Sequence, residues 1–231
     1  MKKKWLRTRR AVCIISGGLD SSGVAAFWKS KGYSLNLLTF DYGQRAKKEI
    51  SRAKEIGRFL GVESHKFVDI SFMKDLYGST NVLTDSSKKI PSHFQSNIIV
   101  PIRNAIFLTI ATANAFSIGA EILAYGAHLT DQPYPDCRPD FARSLERTLN
   151  LGDADAIKLK KHPPIELWSP AIAGQKKEEL LKISHELMGD HVFRTWSCYL
   201  NGKYQCGMCE SCRNRKIAFK SIGIYDKTEY S

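Results

Sequence analysis

Seven residues, Ser16-Gly17-Gly18-Leu19-Asp20-Ser21-Ser22, constrain this chain more than any other stretch, because of what flanks them. The apolar run Ala11-Val12-Cys13-Ile14-Ile15 ends directly before them, and Gly23-Val24-Ala25-Ala26-Phe27-Trp28 follows directly after. A short buried strand, a tight turn and then a helix is the natural parse. Two glycines let the backbone approach a ligand with no side chain in the way. Ser16, Ser21, Ser22 and the free N–H groups of the new helix converge on the same point. Such a turn cradles phosphate. It is neither a Walker A loop, since no Gly-Lys-Ser/Thr follows the first glycine, nor a dinucleotide turn, which needs three glycines.

The rest of the chain reads as alternating strands and helices. Val24 to Lys31 is helical and stops at Gly32, Ser34 to Phe40 is a second strand, Lys47 to Leu60 is an amphipathic helix closed by Gly61, and His65 to Val68 is a third strand. This order predicts an α/β fold, a parallel twisted sheet with right-handed crossovers and helices on both faces. Ligands in such sheets bind at the carboxyl ends of the strands, where Ser16 to Ser22 and Asp41-Tyr42-Gly43-Gln44-Arg45 both fall. Ser71 to Asn97 is polar and turn-rich, a surface excursion or a lid. Val100-Pro101-Ile102-Arg103-Asn104 leads into a helix over 105–118 whose alanines suit close packing, with Arg103 and Asn104 at its anion-favouring N-terminus. Ala120 to Tyr125 is a fourth strand, and the polar run Asp131 to Arg138 beyond it is the expected substrate loop. Phe141 to Leu149 reads as a helix, Ala156 to Leu159 as a short strand and Lys176 to Met188 as a helix.

Composition narrows the classes. The 231 residues, 43% hydrophobic and 25% charged, suit a soluble globular chain rather than a disordered one. The apolar stretch over 105–120 carries Thr, Asn and Ser and falls short of a membrane span, so a cytoplasmic setting without membrane attachment is expected. The net charge of +12, with six Lys or Arg in residues 1–10, fits a polyanionic small ligand or a solvated tail. No aromatic interleaving accompanies the charge, so nucleic acid is not expected as a direct substrate. The expected organisation is a basic tail over 1–10, an ATP-binding α/β domain over 11–190 and a metal-binding subdomain over 191–231.

Four of the six cysteines bunch as C-x7-C-x2-C-x2-C at Cys198, Cys206, Cys209 and Cys212. Two-residue spacing lets a knuckle aim successive sulfurs at one ion, and the fourth closes a tetrahedron. Structural zinc is the favoured reading. An iron–sulfur cluster or reduced free thiols are the alternatives, although no further Cys-Pro follows. Cys13 lies in the first strand and reads as core. Cys137, beside Arg138, could be a thiolate if that cation lowers its pKa. The histidines show no HExxH spacing.

The loop Ser16 to Ser22 resembles the PP-loop of ATP pyrophosphatases. Taken in order with Asp41 to Arg45, Val100 to Asn104, Tyr134-Pro135-Asp136-Cys137-Arg138, Thr195-Trp196-Ser197-Cys198-Tyr199 and the trailing cysteines, it is similar to the QueC family of 7-cyano-7-deazaguanine synthases, from residue 11 to about 215. The resemblance implies a Rossmann-like PP-loop fold with a C-terminal zinc-binding subdomain, ATP, Mg2+ and Zn2+ as cofactors, 7-carboxy-7-deazaguanine and ammonia as substrates, and a homodimer. ATP would lie on Ser16, Gly17, Gly18, Leu19, Asp20, Ser21 and Ser22, with Asp41, Tyr42 and Arg45 nearby and Asp20 helping to hold Mg2+. Arg103, Asn104, Asp131, Tyr134, Asp136 and Arg138 would meet the deazaguanine. Asp20, Arg103 and Lys176, the last in a late Lys-x-Glu with Glu178, would carry the chemistry. Departures fall on the substrate side. Asp131-Gln132-Pro133-Tyr134 is one residue shorter than the family's usual loop and lacks its Ser-Gly pair, Gln175 stands where an aspartate often precedes the lysine, and Ile102 replaces a small residue. They leave room for a relative that joins the activated carboxylate to another amine, such as a protein terminus, while the +12 charge leaves a tRNA-binding PP-loop enzyme or a zinc-ribbon binding module as a further alternative.

Overall fold

The computed structural model describes residues 8–231. Residues 1–7, most of the expected basic tail, lie outside them. In chain order the regular elements are β1 (Arg10–Ile14), α1 (Leu19–Ser30), β2 (Ser34–Asp41), α2 (Lys48–Leu60), β3 (Ser64–Asp69), α3 (Met73–Tyr77), α4 (Arg103–Ile118), β4 (Ile122–Ala124), α5 (Pro139–Gly152), α6 (Ala154–Lys158), β5 (Glu166–Trp168), α7 (Lys177–Met188) and α8 (Glu210–Ser221). The strands form one parallel sheet in the order β3-β2-β1-β4-β5.

Side-chain alternation along the strands splits the core into two layers. Val12, Leu38 and Leu123 face Leu108, Ala111 and Ala115 of α4. Ala11, Cys13, Leu35 and Ile122 face Val24 and Ala25 of α1, Ile56 of α2 and Leu180 of α7. Helices thus cover both faces, and central β1, buried from both sides, reads as a continuous apolar run. Cys13 is core as expected, its thiol pushed up to about 12 by burial. Full burial of Leu35, Leu108 and Leu123 contributes about 1.5–3 kcal/mol each. Strand order reverses between β1 and β4, which opens a crevice above their carboxyl ends.

Four expectations change. α1 begins at Leu19, five residues before the expected start, so the second half of the phosphate loop is already the helix's first turn. Residues 156–159 are not a strand: they belong to α6 and the turn after it, with Leu159 67% exposed and Asp153 pinned by His162 at 3.0 Å. The fifth strand is Glu166–Trp168, three residues following Pro163 and Pro164 and too short to show alternation. The stretch Ser96–Ile118 is long and apolar enough to pass for a span, with a mean hydropathy of 1.4. Its helical part, α4, is a core helix whose Leu108, Ala111 and Ala115 are fully buried on the sheet.

The 71–97 excursion is anchored. Met73 and Val82 are buried in the core, and Arg45 Nη1 donates to the carbonyls of Val82, Asp85 and Lys88 at 3.2, 3.2 and 2.7 Å. At the other end of the chain, α8 packs Ala218 and Phe219 against Leu19 of α1 and Leu181 of α7. Fully buried Arg215 ties in the C-terminal stretch: it pairs with Asp226 at 3.3 Å and donates to Thr228 Oγ1 at 2.8 Å and Thr195 Oγ1 at 2.7 Å.

Candidate functional site

A cleft of about 500 Å3 occupies the crevice above β1 and β4. Its floor is the phosphate loop. Ser16 Oγ accepts from the N–H of Gly18 at 3.2 Å, and Ser21 Oγ accepts from the N–H of Ser16 at 3.1 Å, so the two hydroxyls brace the turn. Gly18 caps α1, whose first turn, Leu19 to Ser21, lines the cleft with its N–H groups directed as a helix start directs them.

Two glycines are required by close approach. At Gly17, with φ +84°, an added Cβ would lie 2.3 Å from the Glu49 carbonyl oxygen. At Gly126, just past β4, a Cβ would lie 2.8 Å from the Ser21 nitrogen. The loop is therefore wedged between the first turn of α2 and the end of β4.

A polar chain crosses one end of the cleft. Lys177 Nζ donates to both Asp20 oxygens at 2.8 and 2.6 Å, and His128 Nε2 lies 3.8 Å from Asp20 Oδ1. The backbone N–H of His128 donates to Asp131 Oδ2 at 3.0 Å. Burial alone would raise the Asp20 carboxyl, but Lys177 and His128 outweigh it and hold Asp20 below the usual range. Asp131 goes the other way: burial pushes it up, with His128 opposing.

The opposite wall comes from α4 and the loop after β4. Arg103 lies over the Tyr42 and Phe107 rings at 5.6 and 5.9 Å. Asn104 presents its backbone N–H to Asp136 Oδ2 at 2.9 Å and its amide to Cys137 Sγ at 3.2 Å. This geometry follows from Ile102, a β-branched residue held at φ 48° immediately before α4. The cation beside Cys137 does not make it a thiolate. Burial, Asp131 and Asp136 push its thiol well above the ordinary value, so it stays protonated.

Ser16, Gly18, Leu19, Asp20, Ser21, Tyr42, Arg103, Asn104, Asp131, Tyr134 and Asp136 all line this one cleft. Six other sequence-selected residues do not. Gly17 and Ser22 are buried behind the loop, where they shape it. Asp41 is engaged by Lys47 at 2.7 Å, and Arg45 is spent on the excursion. Arg138 is exposed and its Nε donates to the Gln132 carbonyl at 3.0 Å. Lys176 is exposed at the N-cap of α7, and its neighbour Lys177 is the lysine in the cleft. The extended N-cap conformation, φ −85° and ψ 167°, turns successive side chains in opposite directions, and the spacing of charges in the sequence does not reveal it.

Sequence reasoning placed His128 near the crevice and included Tyr199 in a motif but gave neither a role, and it passed over Glu49 and Glu210; all four line the cleft. Glu49 hides as an ordinary acid in the first turn of a helix. Burial pushes its carboxyl up to about 8, with Arg103 opposing. Tyr199 donates to Glu210 Oε2 at 2.7 Å, which joins the cysteine knuckle to the cleft wall.

At the knuckle, Cys198, Cys206, Cys209 and Cys212 bring their sulfurs within 4.8 Å of one another. Backbone N–H groups of Leu200 and Cys206 donate to Cys198 Sγ at 3.4 and 3.3 Å, and that of Cys209 to Cys206 Sγ at 3.3 Å. Hydrogen bonds from the Cys209 and Cys212 thiols and from these amides push Cys198 down. Four sulfurs at this separation, with donors aimed at them, fit a tetrahedral thiolate site closed to water.

Comparison with known proteins decides the kinship. The family model described as "Queuosine biosynthesis protein QueC" matches residues 10–223. The chain belongs to the QueC family. Among curated QueC relatives, the 7-cyano-7-deazaguanine synthase of Caldicellulosiruptor saccharolyticus is 40% identical over 227 residues, covering 96% of this chain and 95% of that protein. The synthase of Clostridium kluyveri is 39% identical over 228 residues, with 96% and 98% covered. That of Methanospirillum hungatei is 37% identical over 229 residues, with 96% and 99% covered. The QueC match spans both the phosphate loop and the knuckle.

Proposed function

We propose that this chain converts 7-carboxy-7-deazaguanine and ammonia into 7-cyano-7-deazaguanine with ATP as the co-substrate. One observation carries the reading: the phosphate loop, the start of α4 and the loop after β4, separate segments of the sequence, line a single cleft in a chain related over 96% of its length to a synthase of that name. A carboxylate resists attack by nitrogen until its oxygen becomes a good leaving group. Transfer of an AMP group to that oxygen supplies one, with pyrophosphate released.

The residues divide the work. N–H groups of Leu19 to Ser21 donate to phosphate oxygens, and Lys177 and Arg103 are the cations that flank them. Asp136, oriented by the Asn104 N–H, and Asp131, oriented by the His128 N–H, offer acceptors to the donor-rich edge of the purine-like base. Asp20 is the loop's carboxylate and would share with phosphate oxygens in holding Mg2+, in line with that ion's preference for one or two carboxylates. When bound, Mg2+ screens phosphate charge. Cys198, Cys206, Cys209 and Cys212 would hold Zn2+ as a structural ion. A homodimer is supported by β3, an edge strand with no outer partner among the described residues, and by the exposed apolar side chains of Phe67, Phe72 and Leu76. A cytoplasmic setting is supported by six free cysteines, four of them gathered for a metal.

The test is an incubation with ATP, Mg2+, ammonium and 7-carboxy-7-deazaguanine, read by mass spectrometry. Nitrile with two AMP per product is expected. AMP with no nitrile would overturn ammonia as the acceptor and redirect the search to another amine.

A further inference from the structure

Glu49 is a cleft carboxyl that the reading above leaves without a task. It sits in the first turn of α2, and its backbone is packed against the phosphate loop at Gly17, so its position is fixed relative to that loop. Among the described residues no ion pair is made by its carboxylate and no hydrogen bond reaches it, a freedom it shares only with Glu178 of α7 among the acids that line the cleft. Asp20 is taken by Lys177, Asp131 by the His128 N–H, Asp136 by the Asn104 N–H and Glu210 by Tyr199. The groups that face it are Arg103 from α4 and Tyr42 from the end of β2. The phosphate loop and Trp196 bring no charge to this side of it.

The reaction has an unmet need that matches. The nitrogen arrives with three hydrogens as ammonia and leaves with none in the nitrile. One proton is lost when the C–N bond forms and the C–O bond to AMP breaks. Two more are lost when the amide oxygen has itself been activated, the second C–O bond breaks with its electron pair going to AMP, and the C≡N bond closes. No electrons are gained or lost overall. All three protons need an acceptor near the activated carbon, which lies beside the loop that holds the phosphates.

Resting on that function, we propose that the Glu49 carboxylate takes up the protons shed by the nitrogen and releases them to solvent through the open cleft. Two carboxyls then flank the loop with opposite tasks: Asp20, held ionised by Lys177, handles charge, while Glu49, unpaired beside it, handles protons. Environments that drive two nearby acids apart in this way are how sites divide such roles. An acid titrating near 8 is also well matched to proton transfer at neutral pH.

The test compares the native chain with Glu49→Gln and Glu49→Asp. Two readouts are taken: pyrophosphate–ATP exchange that depends on the 7-carboxy base without ammonia, and nitrile formation with ammonium. For Glu49→Gln, nitrile formation should fall about 10²-fold or more beyond any fall in exchange, and the rise of the native rate with pH through about 8 should disappear. Glu49→Asp should restore part of the rate and keep a pH limb. Equal losses in exchange and nitrile formation would overturn the proposal, since Glu49 would then serve ATP placement. So would a Glu49→Gln variant that makes nitrile at the native rate. A native chain that shows no exchange with the 7-carboxy base would overturn the underlying function, and this role with it.

Discussion

The phosphate loop and the cysteine knuckle are built alike and put to opposite uses. Each is a tight turn containing a positive-φ glycine, Gly17 or Gly207, that feeds straight into a helix N-terminus, α1 after Gly18 or α8 after Cys209. In the loop the hydroxyls brace the turn from within and the first N–H groups of α1 are left for a ligand. In the knuckle the N–H groups point inward to sulfur, and the four sulfurs face one another. A shared backbone device thus becomes a site or a clasp depending on whether its donors are left open or consumed.

Breaking the clasp should have the largest effect. Cys209→Ser is expected to lose the metal and with it a stability comparable to that of a whole domain, about 5–15 kcal/mol. Metal content and thermal unfolding measured together check this, and iron with labile sulfide in place of zinc would refute the closed zinc assignment. Breaking the open turn should act on chemistry and spare the fold. Asp20→Ala should lower AMP formation about 10³-fold, roughly 4 kcal/mol of barrier, with little change in melting temperature. AMP release at the native rate would take the loop out of the mechanism.

The link between the two regions should yield a smaller change. Tyr199→Phe removes the hydroxyl that donates to Glu210 beside the knuckle, and is expected to raise KM for the base about tenfold with kcat nearly unchanged, near the net worth of a hydrogen bond to a charged group. Steady-state kinetics with the metal content verified is the measurement. The smallest effect is expected at Ile102, held at φ 48° before Arg103. Ile102→Gly should gain about 1 kcal/mol of stability by relieving that backbone, read in chemical denaturation. A loss of stability would refute the strain, with the side chain, 63% exposed, then contributing more than its backbone costs.

The sequence was most informative where function sits in consecutive residues. The turn from Ser16 to Ser22 and the Cys-x2-Cys-x2-Cys knuckle are local, so spacing alone places them, and the order of strands places the crevice. It was least informative where one residue's orientation decides the matter. Lys177 rather than Lys176 reaches Asp20 because α7 starts from an extended N-cap, and Arg45 turns away because three carbonyls of a distant excursion compete for it. Glu49 could not be singled out, since an acid in a first helical turn is equally well explained by the helix dipole. Only the folded structure, in which it lines the cleft, sets it apart. The fifth strand was hidden by its length, three residues behind two prolines.

The order in which the cleft's parts occur along the chain also bears on synthesis. The phosphate loop lies at residues 16–22 and the sheet is complete at Trp168, but Trp196, Tyr199 and Glu210, which close the wall, come afterwards. As a chain grows from its N-terminus, a folded sheet can therefore exist on the ribosome with its phosphate loop formed and its cleft still missing a side. A nascent enzyme of this design is assembled before it is armed, and the cysteine clasp is among the last parts to be added.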